Sequence, residues 1–326
     1  MKGWISNARG MGGLQFGELA DPIAKAGEII VEVRAAALNF SDILMIDDAY
    51  QVKPPRPFTP GQEVAGVVVS APELSRWRPG DRVATKVNWG GFAERVAVPA
   101  DMPIALPDAI GFARAAAIPV SYTTAIVALS ECSTVRPGAT VLVHAAAGAV
   151  GLAAVQYAAA NGATVIATAG SDEKLDLAKR HGARHAISYA DPNWVDAVRA
   201  IAPAGADIIV DPVGGEIGEQ SLRCIARDGR LLVVGFASGA IPRFAGNRLL
   251  LKRAAAVGVY WNHVEDVDML ARVTARLVDA AKAGTVDPVV ESRAGLEALP
   301  AALDDLRSRR TVGKIVLEIE SRETIA

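Results

Sequence analysis

Between residues 121 and 284 the chain alternates short apolar runs with helix-like stretches, a pattern that few folds accommodate. The runs "TVLVHA", "ATVIATA", "HAISY", "DIIVDPVG", "RLLVVGF" and "AAAVGVYW" read as buried strands. "GLAAVQYAAANG", "DEKLDLAKRHG" and "DPNWVDAVRAIA" read as helices, and Asn161-Gly162 and His181-Gly182 stop two of them. Such alternation means βαβ units, a parallel sheet and right-handed crossovers. Six strands match a full doubly wound nucleotide domain. The first 120 residues have another texture, rich in Pro and Gly, with β-type runs such as "EIIVEVRAAAL", "VAGVVVS" and "GFAERVAVP". That spacing predicts an irregular, mostly antiparallel sheet. The stretch from 285 onward, with "DPVVESRAGLEALPAALDDL" and "GKIVLEI", resembles the N-terminal texture again. The expected domains are 1–120 with 285–326, and 121–284. A length of 326 residues exceeds what one core usually organises.

Composition narrows the function classes. Apolar residues make up 51% of the chain, charged residues 21%, and the net charge is −2. That balance lacks the basic excess of a nucleic-acid binder. No uninterrupted run of eighteen or so apolar residues occurs, so a membrane span is not expected, and "MKGWISNARGMGG" lacks the apolar core of a signal peptide. Cys132 and Cys224 stand far apart with no partner motif, which fits free thiols in a reducing cytoplasm.

The turn after the first parallel strand reads Ala146-Ala147-Gly148-Ala149-Val150-Gly151 and aligns with G-x-G-x-x-G, alanine replacing the first glycine. Gly148 allows backbone approach to a pyrophosphate, and Gly151 allows the helix to pack tightly on the strand. A helix starting near Ala149 would turn its free amides and positive end toward the phosphates. Ala/Gly-rich turns also serve packing alone, but a strand before and a helix after favour a dinucleotide. The earlier glycines of "GMGGLQFG" follow no buried strand and read as a turn. The second strand ends in Ala169-Gly170-Ser171, with Lys174 one helical turn on. A small residue plus a cation suits a 2′-phosphate better than a bare diol, so NADPH is the expected cofactor. Asp172 could instead hold a ribose diol, but it falls one position late and reads equally well as a first-turn helix acid.

The segments "ALNFSDILM", "YQVKPPRPFTPGQEVAGVV", "VLVHAAAGAVGLAAVQYA", "GSDEKLDLAKRHGA", "DPVGG" and "NRLLLKRAAAVGVYW" together resemble the zinc-free quinone oxidoreductases of the medium-chain dehydrogenase/reductase superfamily. The resemblance implies an α/β chain: a GroES-like, mostly antiparallel catalytic domain plus a doubly wound Rossmann domain, assembled as a homodimer or higher oligomer. The zinc branch has a cysteine near Asn39 and a His-Glu pair where this chain has Gln62-Glu63, so no metal is expected. The first domain contains neither Cys nor His, and Glu63 alone cannot form a tetrahedral zinc site. His144, at the end of an apolar strand, reads as a satisfied buried imidazole.

The resemblance also implies that Asn39 meets the nicotinamide end of the cofactor and Thr124 the phosphate-ribose region. Tyr189 is implied near the adenosine, and Gly235, Phe236 and Ser238 along the nicotinamide edge. Asn39 equally suits a helix cap, and Phe236 the core. Tyr50 is the candidate hydroxyl on the substrate side, and Trp89, Phe92 and Trp261 are candidate apolar walls for a flat ring. Hydride transfer needs mainly alignment and exclusion of water, and a quinone can take its proton from water. The expected activity is metal-free NADPH-dependent reduction of a quinone or similar conjugated carbonyl, a small-molecule acceptor. An enoyl or alkenal double-bond reductase and a nucleotide-binding structural or regulatory protein with little turnover remain as alternatives.

Overall fold

The computed structural model describes residues 1–107 and 109–320, which divide into two units, Met1–Val120 with Val289 onward, and Ser121–Pro288. The return to the first unit comes at 288/289 rather than 284/285. Asp287 is held by its main-chain N–H and carbonyl to Gln156, which keeps it with the second unit.

In the first unit, β1 (Lys2–Ser6) and β2 (Leu14–Glu18) form a small antiparallel pair. The larger sheet is organised by β3 (Glu28–Ala37), whose ten residues make the longest strand described. Its alternate side chains Ile29, Val31 and Val33 are buried at 1% exposure or less, the period-2 signature of a half-covered strand. After α1 (Phe40–Ile46), β4 (Glu63–Ser70) pairs antiparallel along one edge of β3. β5 (Arg82–Lys86) follows on β4, and β7 (Ile104–Ala105) on β5. The opposite edge of β3 has two partners: β6 (Arg95–Pro99) covers residues 28–32, and β15 (Lys314–Glu318) covers residues 35–37. The register of β3 against β4 shifts twice, between Ile30 and Val31 and between Val33 and Ala35. Bulges of this kind bend a strand and let it turn one edge toward different neighbours. β14 (Val290–Ala294) closes the sheet in parallel beside β15. Trp4, Phe92, Val64, Leu299 and Leu303 fill its core, and Trp4 Nε1 donates to the Leu296 carbonyl at 2.6 Å. The helices α2 (Phe112–Ala116) and α10 (Leu299–Arg307) complete this unit, which is the expected GroES-like, mostly antiparallel architecture.

The second unit starts with α3 (Ser121–Ile126), followed by six strands in the order expected of a doubly wound sheet. β8 (Thr140–Val143), β9 (Thr164–Ala169), β10 (His185–Ser188), β11 (Ala206–Asp211), β12 (Ile225–Val233) and β13 (Ala255–Gly258) lie in the order β10-β9-β8-β11-β12-β13, all parallel. The connecting helices are α4 (Ala149–Ala160), α5 (Asp172–Arg180), α6 (Trp194–Ile201), α7 (Gly215–Ser221) and α8 (Gly246–Lys252), with α9 (Val267–Lys282) after the last strand. α5 shows why its sequence is helical. Ser171 precedes it in extended conformation, Asp172 and Glu173 stand in its first turn and Lys179 and Arg180 in its last, each sign matched to the dipole. Gly182, at φ +116°, ends it where an L side chain would be strained. Leu142, Ile166, Trp194, Val198, Ile209 and Leu231 form the core of this unit. Among the described residues no helix is long and apolar enough to cross a membrane.

Candidate functional site

In an open parallel sheet ligands bind outside the carboxyl ends of the strands, where the strand order reverses. Here that point lies between β8 and β11. The turn leaving β8 carries Ala145 at φ +46° and reaches α4 through Gly148, its extended N-cap. A Cβ on Gly151 would stand 2.2 Å from the Ala145 carbonyl oxygen, so only glycine lets α4 sit this close to the turn. A Cβ on Gly148 would stand 3.2 Å from the same oxygen. The amides of Ala149, Val150 and Gly151, in the first turn of a twelve-residue helix, have no carbonyl four residues back within that helix. A bare turn feeding a helix N-terminus is the shape and polarity that suit a diphosphate.

The carboxyl ends of β9 and β10 bring further residues together. Gly170 and Ser171 follow β9, Lys174 lies on the first turn of α5, and Tyr189 follows β10. The Tyr189 main-chain N–H donates to the Ala169 carbonyl at 3.2 Å, and its ring lies 3.5 Å from where a Gly170 Cβ would stand. The loops after β11 and β12 are joined as well: Ala237 N–H donates to the Pro212 carbonyl and Ser238 N–H to that of Val213. A Cβ on Gly214 would press within 2.9 Å of the Phe236 ring. Gly235, Phe236 and Ser238 therefore stand at the carboxyl end of β12 beside the β11 turn. Thr124, on α3, accepts from Trp261 Nε1 at 3.1 Å.

Beneath these loops lies a polar network that sequence reasoning read only in part. His144 is fully buried, with Nδ1 at 2.7 Å from Thr168 Oγ1 and Nε2 at 2.8 Å from Ser221 Oγ. The Ser221 hydroxyl donates to the Ile217 carbonyl at 2.7 Å, so it accepts from Nε2–H, and the Thr168 hydroxyl donates to Nδ1. Burial drives His144 down to about 4, against the pull of Asp211. The imidazole is a neutral tie between β8, β9 and α7. Asp211 was missed: its Oδ1 accepts from the Val213 and Gly214 N–H groups at 2.9 Å and so shapes the turn after β11. An Asp at a strand end followed by Pro-Val-Gly-Gly was the available signal.

The first unit holds a second polar cluster, and it is charged. Asn39 caps α1, and its main-chain N–H donates to Asp42 Oδ2 at 2.7 Å. Its Nδ2 donates to Glu63 Oε2 at 3.2 Å, and Lys314 Nζ donates to its Oδ1 at 2.6 Å. Lys314 and Glu63 form an ion pair at 2.6 Å, with side chains 5% and 0% exposed. Glu63 Oε1 accepts the Val120 N–H at 2.7 Å. Asp42 is fully buried, and burial lifts its carboxyl to about 7; the Asn39 amide and Lys314 oppose the rise, and Glu63 adds to it. Ser41 Oγ donates to Gln62 Oε1 next to this cluster. Of the other candidates in this unit, Tyr50 follows α1 and is half-buried, and Trp89 is 39% exposed. Phe92 is 0% exposed in the core, so it has no surface to offer a ligand here. Trp261, in the second unit, retains 9%.

Residues 25–108 match the alcohol dehydrogenase GroES-like domain family and residues 149–299 the zinc-binding dehydrogenase family. The chain is 37% identical over 298 residues to quinone oxidoreductase-like protein 2 of Rattus norvegicus, covering 90% of this chain and 85% of that protein. It superposes on the quinone oxidoreductase of Thermus thermophilus, solved also in complex with NADPH, with a TM-score of 0.80, 37% identity and coverage of 98% and 100%. On Escherichia coli quinone oxidoreductase complexed with NADPH the TM-score is 0.88, with 28% identity and coverage of 98% and 100%. With two domain families matched in order, and identity of this level over nine-tenths of its length, the chain belongs to the quinone oxidoreductase family of the medium-chain dehydrogenase/reductase superfamily.

Proposed function

We propose that the chain is an NADPH-dependent reductase that passes hydride to a quinone or similar conjugated carbonyl without a metal. The observation that carries this reading is the gathering of Gly170, Ser171, Lys174 and Tyr189 at the ends of β9 and β10, one strand from the bare Gly148–Gly151 turn. The NADPH complexes of two structural relatives support it. Ala149, Val150 and Gly151 would hold the diphosphate with their amides. Ser171 and Lys174 would hold the 2′-phosphate, with Tyr189 beside the adenosine. Gly235, Phe236 and Ser238 would border the nicotinamide, with Thr124 near its phosphate-ribose portion and Asn39 at its far end. NADPH, when bound, supplies the hydride. The protein aligns donor and acceptor and keeps water away.

The donor set supports the metal-free reading. Both Glu63 oxygens are engaged, by Val120, Asn39 and Lys314, and residues 1–120 contain no Cys or His. Tyr50 is the candidate proton donor on the acceptor side, with Trp89 and Trp261 as candidate walls. We further propose a cytoplasmic homodimer. Among the described residues β13 has β12 on one side only, and Leu250, Leu251, Tyr260 and Val264 around it are 60–85% exposed. An apolar strand edge of this kind is satisfied when a second copy pairs with it.

The deciding experiment follows NADPH oxidation with quinones, enones and enals while measuring NADPH binding in parallel. Quinone turnover is expected. Turnover of enals alone would replace quinones with double-bond substrates, and tight binding without oxidation would make the chain a nucleotide-binding protein. Lys174→Ala is expected to weaken NADPH by roughly 1–3 kcal/mol and NADH far less; equal losses would remove Lys174 from the site. Stoichiometric zinc in the purified protein would overturn the metal-free reading, and sedimentation as a monomer at micromolar concentration would overturn the dimer.

A further inference from the structure

The Asn39 carboxamide lies between two groups of opposite capability. The Lys314 ammonium only donates hydrogen bonds, and the Glu63 carboxylate only accepts them. Nζ lies 2.6 Å from Asn39 Oδ1, and Oε2 lies 3.2 Å from Nδ2. Turning the amide over would set N–H against ammonium and C=O against carboxylate, two repulsions in a place where water cannot screen them. The main chain is fixed too, because the Asn39 N–H is held by Asp42 Oδ2 and Glu63 itself is tied to the Val120 N–H. The amide nitrogen carries two hydrogens and Glu63 takes one, so one N–H stays uncommitted among the described residues.

We propose that Glu63 and Lys314 are positioning residues: their buried ion pair holds the Asn39 carboxamide in one orientation and makes it a hydrogen-bond donor to a ligand carbonyl oxygen. This rests on the reading that Asn39 meets the bound cofactor and acceptor. Two sources offer that oxygen, the carboxamide of the nicotinamide and the acceptor carbonyl. In the second case the same N–H stabilises the charge that grows on oxygen as hydride arrives at the conjugated carbon and a proton follows from solvent. The orientation also sets specificity. A ligand group presenting a hydrogen instead of a lone pair at this point is rejected.

The test uses the full-length protein, with NADPH binding measured alone and steady-state reduction of 1,4-benzoquinone. Asn39→Ala and Lys314→Met are each expected to lower turnover efficiency roughly 10–100-fold, at or below the roughly 100–1,000-fold lost with a full oxyanion-hole donor. Lys314→Arg, whose head group also only donates, is expected to restore most of it. A loss confined to kcat with NADPH affinity unchanged assigns the oxygen to the acceptor, and a parallel loss of NADPH affinity assigns it to the cofactor; either supports the latch. If Asn39→Ala is impaired but Lys314→Met stays within about twofold of wild type, the latch is overturned and the site reading stands. If Asn39→Ala itself is unimpaired in binding and turnover, the site reading falls and the latch with it. Should Lys314→Met not fold, proton exchange of the Asn39 side-chain amide, labelled with 15N and identified by its loss in Asn39→Ala, decides. Slow exchange in wild type is expected, and exchange at the rate of a free amide overturns the proposal.

Discussion

In the second unit His144 lies fully buried between two hydroxyls and is held neutral, whereas in the first unit Glu63 and Lys314 are as deeply buried and meet as charges. A neutral network loses one donor–acceptor match when a member is removed. A buried ion pair loses its compensation, and the charge left behind faces an interior that cannot solvate it. The neutral solution suits a tie between strands that serves only the sheet. The charged one fixes direction as well, because an ammonium and a carboxylate cannot exchange roles.

The largest effect that separates the two units is expected from Lys314→Met. Leaving Glu63 unpaired should cost about 3–5 kcal/mol in urea unfolding. The double variant Lys314→Met/Glu63→Gln should recover much of that loss, and equal losses for single and double variants would mean that the charge is not what matters. A smaller loss, about 1–3 kcal/mol, is expected for His144→Leu at neutral pH, where one hydroxyl network is broken and no charge is stranded. A loss as large as that of Lys314→Met would erase the distinction between the two clusters.

The effect that is smallest per pH unit is also the most diagnostic, since the two units respond to pH with opposite sign. The Asp42 carboxyl rises from 3.8 to about 7 on folding. The folded chain therefore binds more protons than the unfolded chain across that window, and stability falls as pH rises through it. His144 moves from 6.5 down to about 4, so the unfolded chain binds more protons there and stability falls as pH drops. Between about pH 4 and 6.5 the contributions oppose one another, each at no more than about 1.4 kcal/mol per pH unit. Asp42→Asn keeps an acceptor for the Asn39 N–H and removes the charge. Relative to wild type it should gain stability progressively as pH rises from 4 to 7. His144→Leu should narrow its deficit as pH falls from 6.5 to 4. Differences from wild type that stay constant with pH would refute both assignments.

What the sequence revealed follows from how local each signal is. The six parallel strands were legible because apolar runs and helix stops recur within a few residues of one another, and Gly148 and Gly151 were legible because a tight turn is a local demand. His144 was legible as a buried imidazole from its apolar strand, but not the hydroxyls that satisfy it, since Ser221 is 77 residues away. The cluster around Asn39 was invisible for the same reason. Lys314 reaches it across 275 positions, and nothing in "GKIVLEI" marks that lysine as buried. Phe92 shows the opposite failure, because an aromatic residue in a glycine-rich loop reads alike whether it faces a ligand or the core.

The divided edge of β3 has a consequence for how the chain is made. A ribosome delivers residues 121–288, the whole of the second unit, before it delivers β15, so the second unit can finish while the first is still open. Until residues 314–318 emerge, positions 35–37 of β3 present an unpaired edge, and Glu63 waits without its cation. Nascent chains truncated shortly after residue 288 and carried clear of the exit tunnel by an unstructured linker should accordingly hold a protease-resistant second unit and an N-terminal segment that is cleaved readily and captured by chaperones, with protection of that segment arriving only when residues 314–318 are included ahead of the linker.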